Sequence, residues 1–218
     1  MDLKTVDHLL TTTRSVRKRL DLERPVPPEL IEECIELAIQ APTGSNSQNW
    51  HFLVVTDADK KREIAGYYKP PLREYLNTLE GAEPRYPEGD PRRAQEARVY
   101  DSAWYLAEHL HEVPVHLIGC VEGRVETAGP LAQASLYGSI LPALWSLMLA
   151  LRSRGLGSAW TTLHLSAEAQ IAKLLGMPEN ITQAALLPIA YFTGEEFKPA
   201  RRIPGREVTS WNTWGARR

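Results

Sequence analysis

From Thr127 to Leu151 the chain carries no charged side chain, and the stretch "LYGSILPALWSLMLAL" within it is long enough for several helical turns. No other feature restricts the fold as much, because so apolar a helix must hide most of its surface. A bilayer would hide it, and a spanning helix needs about 20 apolar residues. This run, however, holds Gln133, Ser135, Gly138, Ser139, Pro142 and Ser146, and it has no second of its kind in the chain. A central helix from about Gln133 to Arg154, buried in a soluble domain or a dimer, fits it better than a membrane span. Gly155 is its stop signal, and Pro142 kinks it or lies near its first turns.

Around this helix, two hydrophobic periods alternate. "PPELIEECIELAIQA" places Leu30, Ile31, Cys34, Leu37, Ala38 and Ala41 at helical spacing, with Pro28 suited to the first turn. Val6, Leu9 and Leu10 predict a short first helix, Asp57 to Tyr68 and Ala94 to His111 two more, and Ser166 the cap of one running to Leu175. "WHFLVVT", "VPVHLIGCV" and "QAALLPIAYFTG" are apolar runs of strand length, as in strands buried on both faces, and "GLGSAWTTL" is a short strand or extended loop. Residues 69–92, crowded with proline and charge, predict an irregular lid-like excursion with one short helix at Leu72 to Leu79. The tail from Glu195 to Arg218 shows no period. The pattern is α+β or α/β, a small sheet with many helices.

With 43% hydrophobic residues over 218 positions, the chain fits one domain, residues 1–218, able to bury a real core. A net charge of −2 supplies no field to recruit nucleic acid or an acidic membrane. Cys34 and Cys120 lie far apart in apolar stretches, which points to buried thiols in a reducing compartment. "MDLKTVDHLL" has no basic region followed by an apolar run, so a cytoplasmic protein is expected.

Several common sites are missing from the sequence. No G-x-G-x-x-G follows a strand, "GLGS" at 155–158 lacks the third glycine, and neither G-x-x-x-x-G-K-[ST] nor G-x-S-x-G occurs. His109 and His111 are two apart and point to different helix faces, so no metal set is expected. Three polar segments remain. "RSVR" brackets Ser15 with Arg14 and Arg17, a pattern able to wrap a phosphate. "PTGSNSQ", residues 42–48, carries more neutral donors and acceptors than a turn consumes, and "ARRIP", residues 200–204, adds a second basic cluster. Each alone is an ordinary solvated surface. Together the two basic clusters suit a phosphate and the neutral loop a polyol or heterocycle, while the apolar strand ends and Trp residues suit a flat ring, the three parts of flavin mononucleotide (FMN).

The segments "RSVR", "APTGSNSQNWHFLVV", "YLAEHLHEVPVHLIGC", "YGSILPALWSLMLALRSRGLGSAWTTLH" and "RRIPGREVTSWNTW", in this order, resemble the nitroreductase family of FMN-dependent oxidoreductases. The likeness runs from about residue 5 to the end, apart from 69–92. It implies a small mixed sheet surrounded by helices, in a homodimer with a long central helix and a C-terminal arm that wraps the partner. It also implies an NAD(P)H oxidoreductase, with NADPH or NADH as donor, that passes hydride through the flavin in a ping-pong scheme to nitroaromatics, quinones or activated alkenes. No protein side chain is then catalytic, because the cofactor carries the reaction.

By the same resemblance, Arg14 and Ser15 hold the phosphate and ribityl end, and Arg17 approaches the pyrimidine edge. Pro42, Thr43, Gly44, Ser45, Asn46 and Gln48 reach the flavin of the partner subunit. Trp160, Thr161, Thr162 and Leu163 pass beside the ring, and Arg202, with Arg201 beside it, closes on the phosphate. Tyr67, Tyr68, Tyr75 and Tyr86 are candidate substrate contacts. Two departures stand out: Thr13 where many relatives have Arg, which removes one phosphate contact for which Arg201 is the candidate substitute, and Asn49 where many have Pro, which alters loop stiffness. Two rival readings share the fold: a specialised relative, such as a reductive dehalogenase or a flavin-degrading enzyme, and a non-catalytic FMN-binding protein.

Overall fold

The uncharged run forms one helix, α5 (Pro130–Ser153), which continues through Pro142. A computed structural model describes residues 2–79, 81–90 and 92–218. By length and composition α5 could cross a membrane, yet Ile140, Leu144, Leu147 and Leu151 of its second half are fully buried against a sheet. Its first half is different: Leu131 is 86% exposed.

The sheet has four strands, β1 (Trp50–Val55), β2 (Val115–Glu122), β3 (Leu156–Ser158) and β4 (Ile181–Tyr191), in the order β1-β2-β4-β3. Its three ladders are antiparallel, and an isolated parallel bridge joins Ser15 to Ser158. Central β2 alternates its faces as period two requires. Val115, Leu117 and Val121 face α5 and α2 (Pro28–Ala38), whereas Ile118 and Cys120 face the opposite core. Gly119 sits where α5 presses on the sheet: a Cβ there would lie 2.4 Å from Leu144 Cδ2, so only glycine permits the approach. Cys34 and Cys120 are buried free thiols.

The second core is covered by α3 (Ala58–Asn77), α4 (Arg93–His109) and α6 (Glu168–Leu175), with a short α1 (Leu3–Thr12) preceding the sheet. Here the structure corrects the sequence reading. Helix α3 does not stop at Tyr68 to give way to an irregular excursion: it runs unbroken through Pro70 and Pro71 to Asn77. Interior prolines cost helix stability, but Ile64, Ala65, Tyr68 and Leu72 bury one face of α3, and that packing outweighs the local preference. A turn-rich stretch follows over 81–90; Glu80 and Pro91, inside the expected excursion, lie outside the described residues.

Two smaller differences have equally physical causes. β1 is an edge strand, so only Val55 is buried and Val54 remains 39% exposed, unlike the doubly covered strand its apolar run predicts. Ser166 does not cap α6. It lies in a 3-10 turn (Leu163–Ala167), where its hydroxyl donates to Leu163 O at 2.8 Å. Past β4, residues 201–218 are exposed and form only a single turn, α7 (Gly205–Val208), with Trp214 99% exposed.

Candidate functional site

The "RSVR" turn follows α1 and is sewn to the free side of β3. Val16 N–H donates to Ser158 O at 2.8 Å beside the Ser15–Ser158 bridge. Gly157 permits this closeness, since a Cβ there would stand 3.0 Å from that of Val16. Residues 160–163 leave β3 and are held to β4 by a reciprocal pair, Thr161 N–H to Leu186 O at 3.1 Å and Leu186 N–H to Thr161 O at 2.9 Å. Trp160 then packs with the α2–α5 core and Leu163 with the opposite one, so the segment straddles the sheet.

Two helices reach this corner from the far side of the sequence. Tyr68 of α3 shares a 2.8 Å hydroxyl–hydroxyl hydrogen bond with Thr161 Oγ1. Arg17 makes a long 3.5 Å contact from Nη1 to Ser102 Oγ of α4. Burial pulls the Arg17 pKa below its ordinary value, which the neighbouring Tyr68 partly offsets. Burial pushes the Tyr68 phenol up, opposed by Thr161 and Arg17. Arg17 still carries its charge, because a guanidinium stays protonated in proteins.

Beside the turn opens a cleft of ≈ 570 Å³ lined by Arg14, Gln95, Arg98, Ser102, Pro199 and Arg201, among others. Arg14 Nη1 donates to Lys198 O at 3.1 Å, which ties the C-terminal arm to the turn. Among the described residues no ion pair involves Arg14, Arg98 or Arg201. Three cations in one concavity without an acidic partner among the described residues make the local potential positive, which favours an anion over a cation there. The donor set, planar guanidiniums with a hydroxyl, matches a phosphate. A larger groove of ≈ 750 Å³ between α3 and α4, lined by Arg62, Gly66, Lys69, Arg73, Ala107 and His111 among others, contains none of the sequence-predicted residues.

The structure thus gathers Arg14, Ser15, Arg17, Trp160 to Leu163 and Arg201 at one corner. Arg202 is not in the cleft: its Nη1 donates to Arg201 O at 3.3 Å. The 42–48 loop lies elsewhere, against α5, with Gly44 N–H donating to Ser139 Oγ at 2.9 Å and Gln48 N–H to Thr43 Oγ1 at 3.1 Å. Pro42 and residues 44–48 are exposed, and Ser45, Asn46 and Gln48 have φ of 53, 54 and 51°, the left-handed region. Of the four tyrosines, Tyr68 is 2% exposed, a buried link between elements rather than an open substrate contact. Tyr67 packs on the same core, Tyr75 stacks edge-on to Tyr100 at 6.2 Å, and Tyr86 lies between Arg85 and Arg92.

Sequence reasoning missed Arg98 and Ser102, whose signal is only a spacing of four on α4. It also missed His164, fully buried, with no hydrogen-bond partner for either ring nitrogen among the described residues and its pKa pushed down to about 4 by burial.

Known proteins agree with this architecture. The chain is 30% identical over 209 residues to an NADH dehydrogenase of Thermus thermophilus, covering 91% of each. It is 27% identical over 185 residues to iodotyrosine deiodinase 1 of Rattus norvegicus, covering 84% of this chain, and it spans only 60% of that longer protein. The solved structure of a point mutant of NfnB, an FMN and NADPH-dependent nitroreductase from Sphigopyxis sp. strain HMH, superposes with a TM-score of 0.67 at 23% identity, covering 95% of this chain and 99% of that one. The family model described as "Nitroreductase family" matches residues 10–191, from the end of α1 through the last strand. That span takes in the turn, the sheet, the long helix and the 160–163 segment together, and the chain belongs to the nitroreductase family.

Proposed function

We propose that this chain is an FMN-dependent NAD(P)H oxidoreductase of nitroreductase type. The observation that carries the reading is the unpaired arginine cleft beside the "RSVR" turn. Arg14, Arg98 and Arg201 would hold the flavin phosphate there, with Ser15 as a hydroxyl donor and Arg202 as a further cation once the arm closes. Arg98 on α4 stands in for the phosphate contact that Thr13 cannot make. When bound, FMN supplies the chemistry, accepting hydride from NADPH or NADH and passing it to an electron-poor acceptor. Arg17 holds a half-buried positive charge against the ring edge that becomes anionic on reduction, which favours reduction. Trp160, Thr161, Thr162 and Leu163 position the ring and shield one side of it from water.

The loop Pro42, Thr43, Gly44, Ser45, Asn46 and Gln48 serves the flavin of a partner subunit. Its exposure and its anchorage on α5, whose first half is uncovered in the single chain, support a homodimer. Two free buried thiols accord with a cytoplasmic protein. The deiodinase likeness favours reductive dehalogenation of an aromatic substrate as the second reading.

The test is the visible spectrum of the purified protein before and after anaerobic NADPH, then NADH, with nitroaromatic and iodinated phenol acceptors supplied in turn. Flavin bands that bleach and recover with one acceptor class are expected, from a protein that sizes as a dimer. A protein that stays colourless after incubation with FMN would overturn the reading, and bands that neither donor bleaches would leave a flavin-binding protein without turnover.

A further inference from the structure

A buried phenol hydroxyl needs a partner, and its choice of partner is informative. Tyr68 belongs neither to the "RSVR" turn nor to the 160–163 segment, yet it touches the chemistry of both. Its hydroxyl meets Thr161 Oγ1 at 2.8 Å, and it lies near enough to Arg17 for each to shift the other's ionisation. Thr161 cannot drift, because its backbone is paired both ways with Leu186. Phenylalanine would fill the same space, so the oxygen adds something beyond packing.

Either hydroxyl can be the donor in that hydrogen bond. With the phenol proton directed to Thr161 Oγ1, Thr161 keeps its own proton free to donate to a ligand lying along the segment.

On these grounds, and resting on the flavin reading above, we propose that Tyr68 is a positioning residue that orients the Thr161 hydroxyl towards the bound ring. Tyr68 itself does not touch the ligand. It couples α3, the helix that runs through Pro70 and Pro71, to the cofactor corner. The position of this helix therefore bears on flavin affinity and on the ease of flavin reduction.

A double-mutant cycle tests this with Tyr68→Phe, Thr161→Val, the pair together, and Thr161→Ser as the conservative control. The readouts are FMN dissociation constant by fluorescence, midpoint potential of the bound flavin, and melting temperature of the apoprotein. Tyr68→Phe and Thr161→Val should each weaken FMN binding about tenfold, the scale of one hydrogen bond. Both should move the potential in the same direction, the pair should be no worse than Thr161→Val alone, and Thr161→Ser should match wild type. Should Thr161→Val not fold, Thr161→Ala takes its place. A Tyr68→Phe protein with wild-type affinity and potential would remove the role, as would losses that simply add in the pair. A wild-type protein that binds no FMN would remove the flavin reading and this proposal with it.

Discussion

Residues 160–163 and residues 42–48 are both short polar segments beside the sheet, but the chain treats them in opposite ways. The first is bonded to β4, packed into both cores and joined to α3 through Tyr68. The second is exposed, stands in left-handed backbone, and has one anchor, Gly44 on Ser139. A ligand site needs donors held still. The corner is held still by its own chain. The loop spends conformational strain with nothing in the single chain to use it, as expected where a second copy supplies the ligand.

Acid should break the corner before the loop, and this is the largest effect expected. His164 follows Leu163 directly and is neutral and buried, while the loop has no titratable side chain. The ordinary histidine value of 6.5 applies to the unfolded chain, against about 4 in the fold. Above pH 6.5 neither state binds the proton and nothing changes. Between 6.5 and 4 the unfolded chain takes up protons that the fold refuses, so stability falls as pH falls, by roughly 3 kcal/mol at most. His116, with its pKa also lowered to about 4, adds a like amount at the α4–β2 corner. Denaturant midpoints measured from pH 7 to 4 should slope downward, and His164→Leu should flatten about half of that slope. An unchanged slope in His164→Leu would show that the burial seen here does not govern its titration.

Next in size, Arg14→Ala with Arg201→Ala should weaken FMN binding about a hundredfold, as two charge-assisted contacts are worth roughly 1.5 kcal/mol each. Melting should fall only slightly, since Arg201 is exposed and Arg14 gives up a single exposed hydrogen bond to Lys198 O. Equal affinity in this double variant would place the phosphate elsewhere. The smallest effect comes from the loop. Ser45→Gly relieves a φ of 53° and should stabilise the protein by about 0.5–1 kcal/mol after the entropy of glycine is counted. If the loop serves a ligand across a dimer, the same change should slightly weaken FMN binding while melting rises. Both quantities rising together would mean that the left-handed backbone has no binding role.

Much of the architecture is readable because it depends on periodicity. The α2 stripe of Ile31, Cys34 and Ala38, the apolar runs of β2 and β4, and the uncharged α5 each have to bury a face, and each does so in the structure. The Arg14–Arg17 turn and the 160–163 segment are legible as motifs, and the fold brings them together. Arg98 and Ser102 are not legible, because a spacing of four on a polar helix is shared with countless solvated faces. The continuation of α3 beyond Tyr68 is missed for the opposite reason: Pro70 and Pro71 give a strong local signal that is false here.

What this sequence determined by itself is whatever neighbours along the chain can enforce: helical and strand periods, the glycine stop at Gly155, and a charge pattern with basic clusters near both ends. Only the tertiary structure decided that α3 survives its prolines, that β1 is an edge, and that Arg14, Arg98 and Arg201 share one cleft. The physical reason is common to all three. Each depends on burial or charge contributed by residues distant in sequence, and such contributions exceed the local preferences from which a sequence is read.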